Sequence, residues 1–467
     1  MSALPASSRD TLLLTALVLL TTVTAIVSSL GAPLVPAIAR TYDVPLSSAQ
    51  WVLTTGLLSG AVSTPILGRL GSGRLRKPVI VAGLTIVTLG SLLAALPVPL
   101  PALVLGRACQ GVGMGLTPLA IAVARDVVPA ARLPRAVALL SVTTVTGAGL
   151  GYPLSAWVAQ LGGVHAAYAL GATLAAGTLA MAVLVVPHLP GADPQPVDWT
   201  GALLLSAGMV ALLLGVSQGE HWGWDDARVL ALLGGGAVVL AAWTAWTLRR
   251  AQPLVDLRLA TRPGMMSPNL VAVLAGVGMY TLLTTAVVLV QADPARQGWG
   301  LGEPVVVSGL LLVPYALASV VGSRLAQRVR ELAGPRALLP IGCAVFGVAT
   351  LGLATFHGSL ALALVWMGLG GLGSGFTFSS LAVLMLPFVP ASETGSAMAF
   401  NQVLRYLGFA TGSATAIALM AAFGGGEHGF VAALWTTSLV WLLAGGAAFV
   451  LDRRALVRAP AGSASGR

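Results

Sequence analysis

Charge is what this chain has least of. Only 9% of its 467 residues are Asp, Glu, Lys or Arg, against 57% hydrophobic residues and a mean hydropathy of +0.91. A soluble domain carries roughly a quarter of its residues as charges, so a water-facing globular fold is excluded and a membrane protein is indicated. Lysine is nearly absent, with Lys77 the single example among many arginines. Cysteine is limited to Cys109 and Cys343, both inside apolar runs, which excludes a disulfide framework. His165, His188, His221, His357 and His428 show no metal-ligand spacing, so no metal site is expected. No G-x-x-x-x-G-K-[ST] motif occurs, and the glycines of residues 111–115 lie inside an apolar run with no strand before them. The chain therefore does not read as an enzyme, and no cofactor is expected.

What the sequence does have is long apolar runs. Stretches able to cross the hydrocarbon as helices of about 20 residues fall at 11–39, 49–70, 78–97, 100–125, 136–160, 166–187, 199–217, 228–248, 267–291, 304–326, 336–356, 358–386, 394–422 and 430–451. They predict an all-α polytopic membrane protein with fourteen spans, the seventh and eighth being the pair to drop if only twelve cross. The runs lack the alternation of a barrel strand. The first has no small-residue cleavage site and reads as a retained span.

Assigning loops to alternate sides puts most arginines on the side of the N-terminus and a net negative charge opposite. Cations mark the cytoplasmic face, so both termini are expected there, with residues 453–467 as a disordered cytoplasmic tail. The basic balance thus reports topology in a lipid bilayer and gives no ground for a nucleic-acid partner. Trp199, Trp222, Trp224 and Trp299 near span ends read as interface anchors.

The halves resemble one another. The cationic turn from Gly68 recurs from Gly322, Gly115 of span four has a counterpart in Gly375 of span twelve, and the face of Gly147, Gly151 and Ser155 in span five recurs as Gly408, Gly412 and Ala416 in span thirteen. All three recur in the same order at nearly one offset. Two related six-span bundles are expected, at 1–190 and 263–452, with two inserted transmembrane helices and a linker at 191–262. Such halves, related about an axis along the membrane normal, are the organisation of secondary transporters with a cavity between them.

Residues 68–77 resemble the loop signature of the major facilitator superfamily, G-x-L-(A/G)-D-x-x-G-(R/K)-(R/K), with Gly68, Leu70, Gly71, Arg76 and Lys77 in register. Arg107, Gln110, Gly111 and Gly113 are similar to its fourth-span R-x-x-Q-G-x-G pattern, and residues 147–153 resemble its fifth-span antiporter signature, with Tyr152 interrupting the usual Gly-Pro before Pro153. The segments 197–205, 218–224 and 253–259 look like the middle of the fourteen-span drug:proton antiporter family of bacteria. The resemblance implies a multi-pass protein of the bacterial inner membrane, expected as a monomer. It would export small amphipathic compounds, drugs or metabolites, in exchange for protons by alternating access. Two other readings stay open: an uncoupled facilitator or anion-linked exchanger, and a non-transporting membrane sensor.

Two departures from the family pattern bear on mechanism. Ser72 stands where the loop signature has an Asp, so Asp126 becomes the candidate partner of Arg74, Arg76 or Arg125 at a gate that also includes Gly68, Gly71 and Lys77. The glycine faces of spans five and thirteen are expected to let the halves slide. Second, no Asp, Glu or His sits at the middle of any span, whereas a buried carboxylate is the ordinary proton carrier. A proton site would have to be Asp126, Glu220 or Glu303, each of which also suits a plain interfacial charge. Two cations do lie inside spans, Arg107 and Arg405. Arg107 could instead snorkel to the interface, and Arg405 could donate to carbonyls of a broken neighbouring helix. The expected cavity is lined by Thr24, Ser28, Arg107, Gln110, Tyr152, Tyr280, Tyr315, Asn401 and Arg405, and its lack of acid points to neutral or anionic amphiphiles.

Overall fold

The computed structural model describes residues 6–31, 34–44, 46–187, 196–262 and 264–457. Its elements are α1 (Ala6–Ser29), α2 (Val35–Thr41), α3 (Leu46–Leu70), α4 (Arg76–Ala95), α5 (Leu100–Gly111), α6 (Leu116–Val127), α7 (Leu133–Val185), α8 (Trp199–Trp222) and α9 (Ala227–Arg249). They continue with α10 (Leu257–Ala260), α11 (Met266–Gln291), α12 (Pro294–Gln297), α13 (Val305–Leu310), α14 (Leu312–Ala333), α15 (Leu338–Thr355), α16 (Leu360–Met385), α17 (Thr394–Ala422) and α18 (Gly426–Val457). No strand occurs among the described residues. Helices are the form that satisfies every backbone polar group within one segment where water is excluded.

Among the described residues, twelve helices are long and apolar enough to cross a membrane. Two irregularities reconcile that number with fourteen apolar runs. The fourth run is broken: α5 and α6 are separated by a 3-10 turn, Val112–Gly115, so neither half is long enough alone. The 53-residue α7 joins the fifth and sixth runs across Gly163, whose φ of 77° and ψ of -176° are not helical. That backbone conformation favours glycine, and it turns one apparent helix into two.

Four of the 15 acids cap helix starts. Asp198, Asp226, Asp256 and Asp293 each accept a hydrogen bond from a backbone N–H in the first turn of α8, α9, α10 and α12. A hydrogen bond from Arg228 also holds the Asp226 carboxyl down at about 2.

Glycine contacts show the internal repeat. A Cβ on Gly115 would sit 3.0 Å from the Thr64 Cα of α3, and one on Gly375 would strike the Ser319 carbonyl of α14, so span four meets span two as span twelve meets span ten. Likewise Gly147 and Gly151 of α7 press on Thr22 and Ile26 of α1, while Gly408 and Gly412 of α17 press on Val273 and Val277 of α11. These faces therefore seat helices inside their own halves. The expectation that they slide between halves is corrected: the glycine of α7 that faces the other half is Gly149, whose Cβ would lie 2.5 Å from that of Ala316 on α14.

The inserted pair is unequal. Helix α8 packs on both α3 and α17, whereas α9 packs chiefly on α8. Helix α18 runs to Val457, and residues 458–467 of the expected tail lie outside the described residues.

Candidate functional site: a polar cavity between two closed halves

The site is built where the two halves meet. A cavity of about 20 Å³ is lined by Thr117 and Ile121 of α6 and Ser141 of α7 from one half, and by Phe378, Ala382, Met398, Asn401, Gln402 and Arg405 of α16 and α17 from the other. That volume has room for roughly one water, so the halves are drawn together over it.

The two intramembrane arginines differ sharply. Arg107, 2% exposed, is fully engaged: its guanidinium donates to the carbonyls of Val27 at 3.0 Å, Ser28 at 2.8 Å and Val52 at 3.1 Å, and to Gln110 Oε1. Gln110 in turn donates to Ser91 Oγ at 3.1 Å. Arg107 thus ties α1 and α3 to α5 inside the first half, with Gly31 and Gly56 letting the backbone close over it. Donation to backbone carbonyls, the alternative weighed for Arg405, is found instead at Arg107. The expectation that Arg107 and Gln110 line a cavity between the halves is corrected by this geometry.

Arg405, 7% exposed, has its guanidinium carbon 5.2 Å from the centre of the Phe378 ring, and among the described residues it makes no hydrogen bond or ion pair. An arginine held at membrane depth costs about 3 kcal/mol or more, of which a desolvated cation–π contact offsets about 2 kcal/mol. Beyond Phe378 lies an aromatic wall: Phe409 meets Phe378 edge-on at 6.2 Å, stacks on Tyr280 at 4.5 Å and lies 6.1 Å from Tyr406.

The remaining expected lining residues scatter. Thr24 and Ser28 bond to carbonyls of their own helix. Tyr315 is buried within the second half, edge-on to Phe346 at 6.5 Å. Tyr152 on α7 and Tyr280 on α11 belong to different halves. Asn401 donates to Asn269 Oδ1 at 3.1 Å and ties α17 to α11. Gln402 crosses the seam: its Nε2 donates to the Met114 carbonyl at 2.7 Å, in the 3-10 break of span four, and contacts the Tyr406 hydroxyl.

At the end of the bundle that carries residues 68–78, the seam is closed by polar contacts. Arg69 binds both Glu393 oxygens, at 2.9 and 3.0 Å. Arg125 donates to Thr394 Oγ1 at 2.7 Å, and Arg135 meets Glu331 at 3.0 Å. Gly68 lets α3 approach α17, since a Cβ there would lie 2.7 Å from that of Ala399 and 2.9 Å from the Gly395 carbonyl. Asp126 pairs with Arg76, which also donates to the Gly71 and Ala122 carbonyls, so this pair braces the first half internally. Lys77 likewise stays within it, donating to the Val183 carbonyl at 2.8 Å. Ser72 is buried, and its hydroxyl has no hydrogen-bond partner among the described residues. Gly71 packs on Leu119, and Pro153 lies inside α7.

Of the possible proton sites, Asp126 is committed to Arg76, Glu303 lies in the loop before α13, and the side chain of Glu220 lies outside the described residues. Sequence reasoning missed Glu393, Thr117, Ser141 and Phe378.

A family model described as Major Facilitator Superfamily matches residues 17–289 and 269–466. An uncharacterised MFS-type transporter of Bacillus subtilis is 27% identical over 87% of this chain and 90% of its own length. A cephamycin export protein of Amycolatopsis lactamdurans is 28% identical over 85% of this chain and 82% of its own. Some curated relatives are longer: the chain spans 60% of an MFS-type transporter of Mycobacterium tuberculosis. The solved proton:xylose symporter XylE superposes with a TM-score of 0.66 at 16% identity, covering 96% of this chain and 97% of that one.

Proposed function

Since this chain belongs to the major facilitator superfamily, we propose that it exports small amphipathic compounds across the bacterial inner membrane by alternating access, with the arginine-rich end and both termini in the cytoplasm. The observation that carries the reading is the cavity whose walls come from both halves and whose arginine-rich end is closed by Arg69–Glu393 and Arg125–Thr394. A ligand pocket of ordinary size needs several hundred Å³. The site therefore becomes usable when the halves rock apart, and rocking exposes it to one side at a time. The export protein among its relatives supports the direction and the kind of cargo.

Proton coupling is the favoured energy source. Loss of the Glu393–Arg69 pair would favour opening toward the cytoplasm. A second reading, an uncoupled facilitator or anion-linked exchanger, is favoured by a specific observation: among the described residues no acid lies in the middle of a helix that spans the membrane.

Purified protein in vesicles loaded with a pH-sensitive dye separates these. Cargo-dependent proton movement supports coupled export. Cargo flux without proton movement supports the second reading, and no flux across a panel of antibiotics and dyes overturns both.

A further inference from the structure

We infer that the cavity between the halves binds a monoanionic aromatic compound, with its carboxylate on Arg405 and its ring system against Phe378 and Phe409. The inference rests on the transporter reading and names the class of its cargo.

The first support is a contrast between two arginines of similar burial. Arg107 gives its donors to three backbone carbonyls and Gln110, so it neither needs nor admits a ligand. Arg405 lines the inter-half cavity and, among the described residues, gives its donors to nothing. Buried charges are otherwise paired or coordinated, and a guanidinium is the side chain whose planar fork matches a carboxylate. One cation is open for pairing and not two, which selects a single negative charge.

The second support comes from the opposite wall. Thr117 of α6 is 3% exposed and lines the same cavity, and its hydroxyl makes no hydrogen bond to any described residue. The other polar neighbours are already engaged: Ser141 with the Val137 carbonyl, Asn401 with Asn269, and Gln402 with Met114. The donors open to a ligand thus come one from each half, and an anion accepting from both would link them. The third support is the aromatic wall of Phe378, Phe409 and Tyr280, contiguous with the Arg405 guanidinium, which suits a planar apolar body attached to the charge.

The test is equilibrium binding of three matched probes, 2-naphthoate, 2-naphthamide and 2-naphthylmethylammonium, to the full chain in lipid nanodiscs by calorimetry. Naphthoate is expected to bind tighter than the other two by about tenfold. Arg405→Gln should abolish that advantage, Arg405→Lys should keep part of it, and Thr117→Val should reduce it several-fold. Phe378→Leu should weaken all three probes together. Equal affinities, a preference that survives Arg405→Gln in protein with an intact melting transition, or binding of none of the probes each overturns the inference. Repeating the titration with phosphatidylglycerol in the nanodisc separates a lipid headgroup from a soluble cargo. A naphthoate preference lost in its presence assigns the anion site to lipid and overturns the inference. Reconstituted protein that moves the amide or the amine as well as naphthoate overturns the carboxylate site while leaving the transporter reading in place.

Discussion

Arg69 on α3 and Glu393 at the start of α17, 324 residues apart in sequence, form an ion pair across the seam between the halves, Arg69 Nη1 donating to both carboxylate oxygens at 2.9 and 3.0 Å. The arginine is 3% exposed and the glutamate 23%, so the pair is screened only in part. It stands at the same closed end as Ser72, where the loop signature of related transporters places its acid.

Glu393→Gln should therefore favour the form open at the arginine-rich end. Because the carboxylate is partly solvated, the effect is about 1–2 kcal/mol, roughly a tenfold change in the ratio of open to closed forms. A cysteine placed at buried Ser72, in a chain with Cys109 and Cys343 replaced by alanine, should label faster with an impermeant thiol reagent. Exchanging the charges, Arg69→Glu with Glu393→Arg, should return labelling toward the slow rate.

Gly68→Val tests the same closure by shape. Its new side chain meets Ala399 and the Gly395 carbonyl, both on α17, so Ser72 labelling should again rise. Gly68→Val combined with Ala399→Gly should recover part of the protection.

Arg107 and Arg405 should respond oppositely to removal of charge. Arg107→Gln leaves the ties among α1, α3 and α5 broken and should lower unfolding free energy by about 3 kcal/mol, read as a fall in melting temperature in detergent. Arg405→Gln removes a buried cation that no described residue pairs with, and should leave the melting temperature unchanged or raise it by the equivalent of about 1 kcal/mol.

Gln402→Leu should loosen the tie between the halves at the break in span four. The Met114 carbonyl loses its donor in a segment where the helix is already broken, a change of about 1–3 kcal/mol. Amides of residues 111–116 should exchange with solvent faster, while those of α11 and α15 stay unchanged.

Much of the architecture was legible because it depends on local composition. Apolar runs mark the helices, and Gly115 and Gly375 mark the repeat because glycine is what permits span four to touch span two and span twelve to touch span ten. Arg76–Asp126 was legible as one of three pairings, since both residues flank short connections in one half. The contacts that cross the seam were not. Glu393 looks like any loop acid until α17 is set against α3, and Thr117 looks like any small polar residue in an apolar helix. Arg107 and Arg405 were both expected to line the cavity, and only Arg405 does, for the same reason: depth in a span can be read from sequence, but the direction in which a side chain turns cannot.

Helix α8 lies across the groove where α3 and α17 meet, through a cluster that joins Ala202, Leu205 and Met209 to Ala61 and Val403. The opposite groove, where Gly149 of α7 meets α14, has no such cover among the described helices. The two long flanks of the molecule are therefore unlike as doors to the lipid. A compound dissolved in the bilayer finds one flank upholstered by an extra helix and the other presenting a bare joint, so any cargo taken directly from the membrane would enter from one side of the protein only.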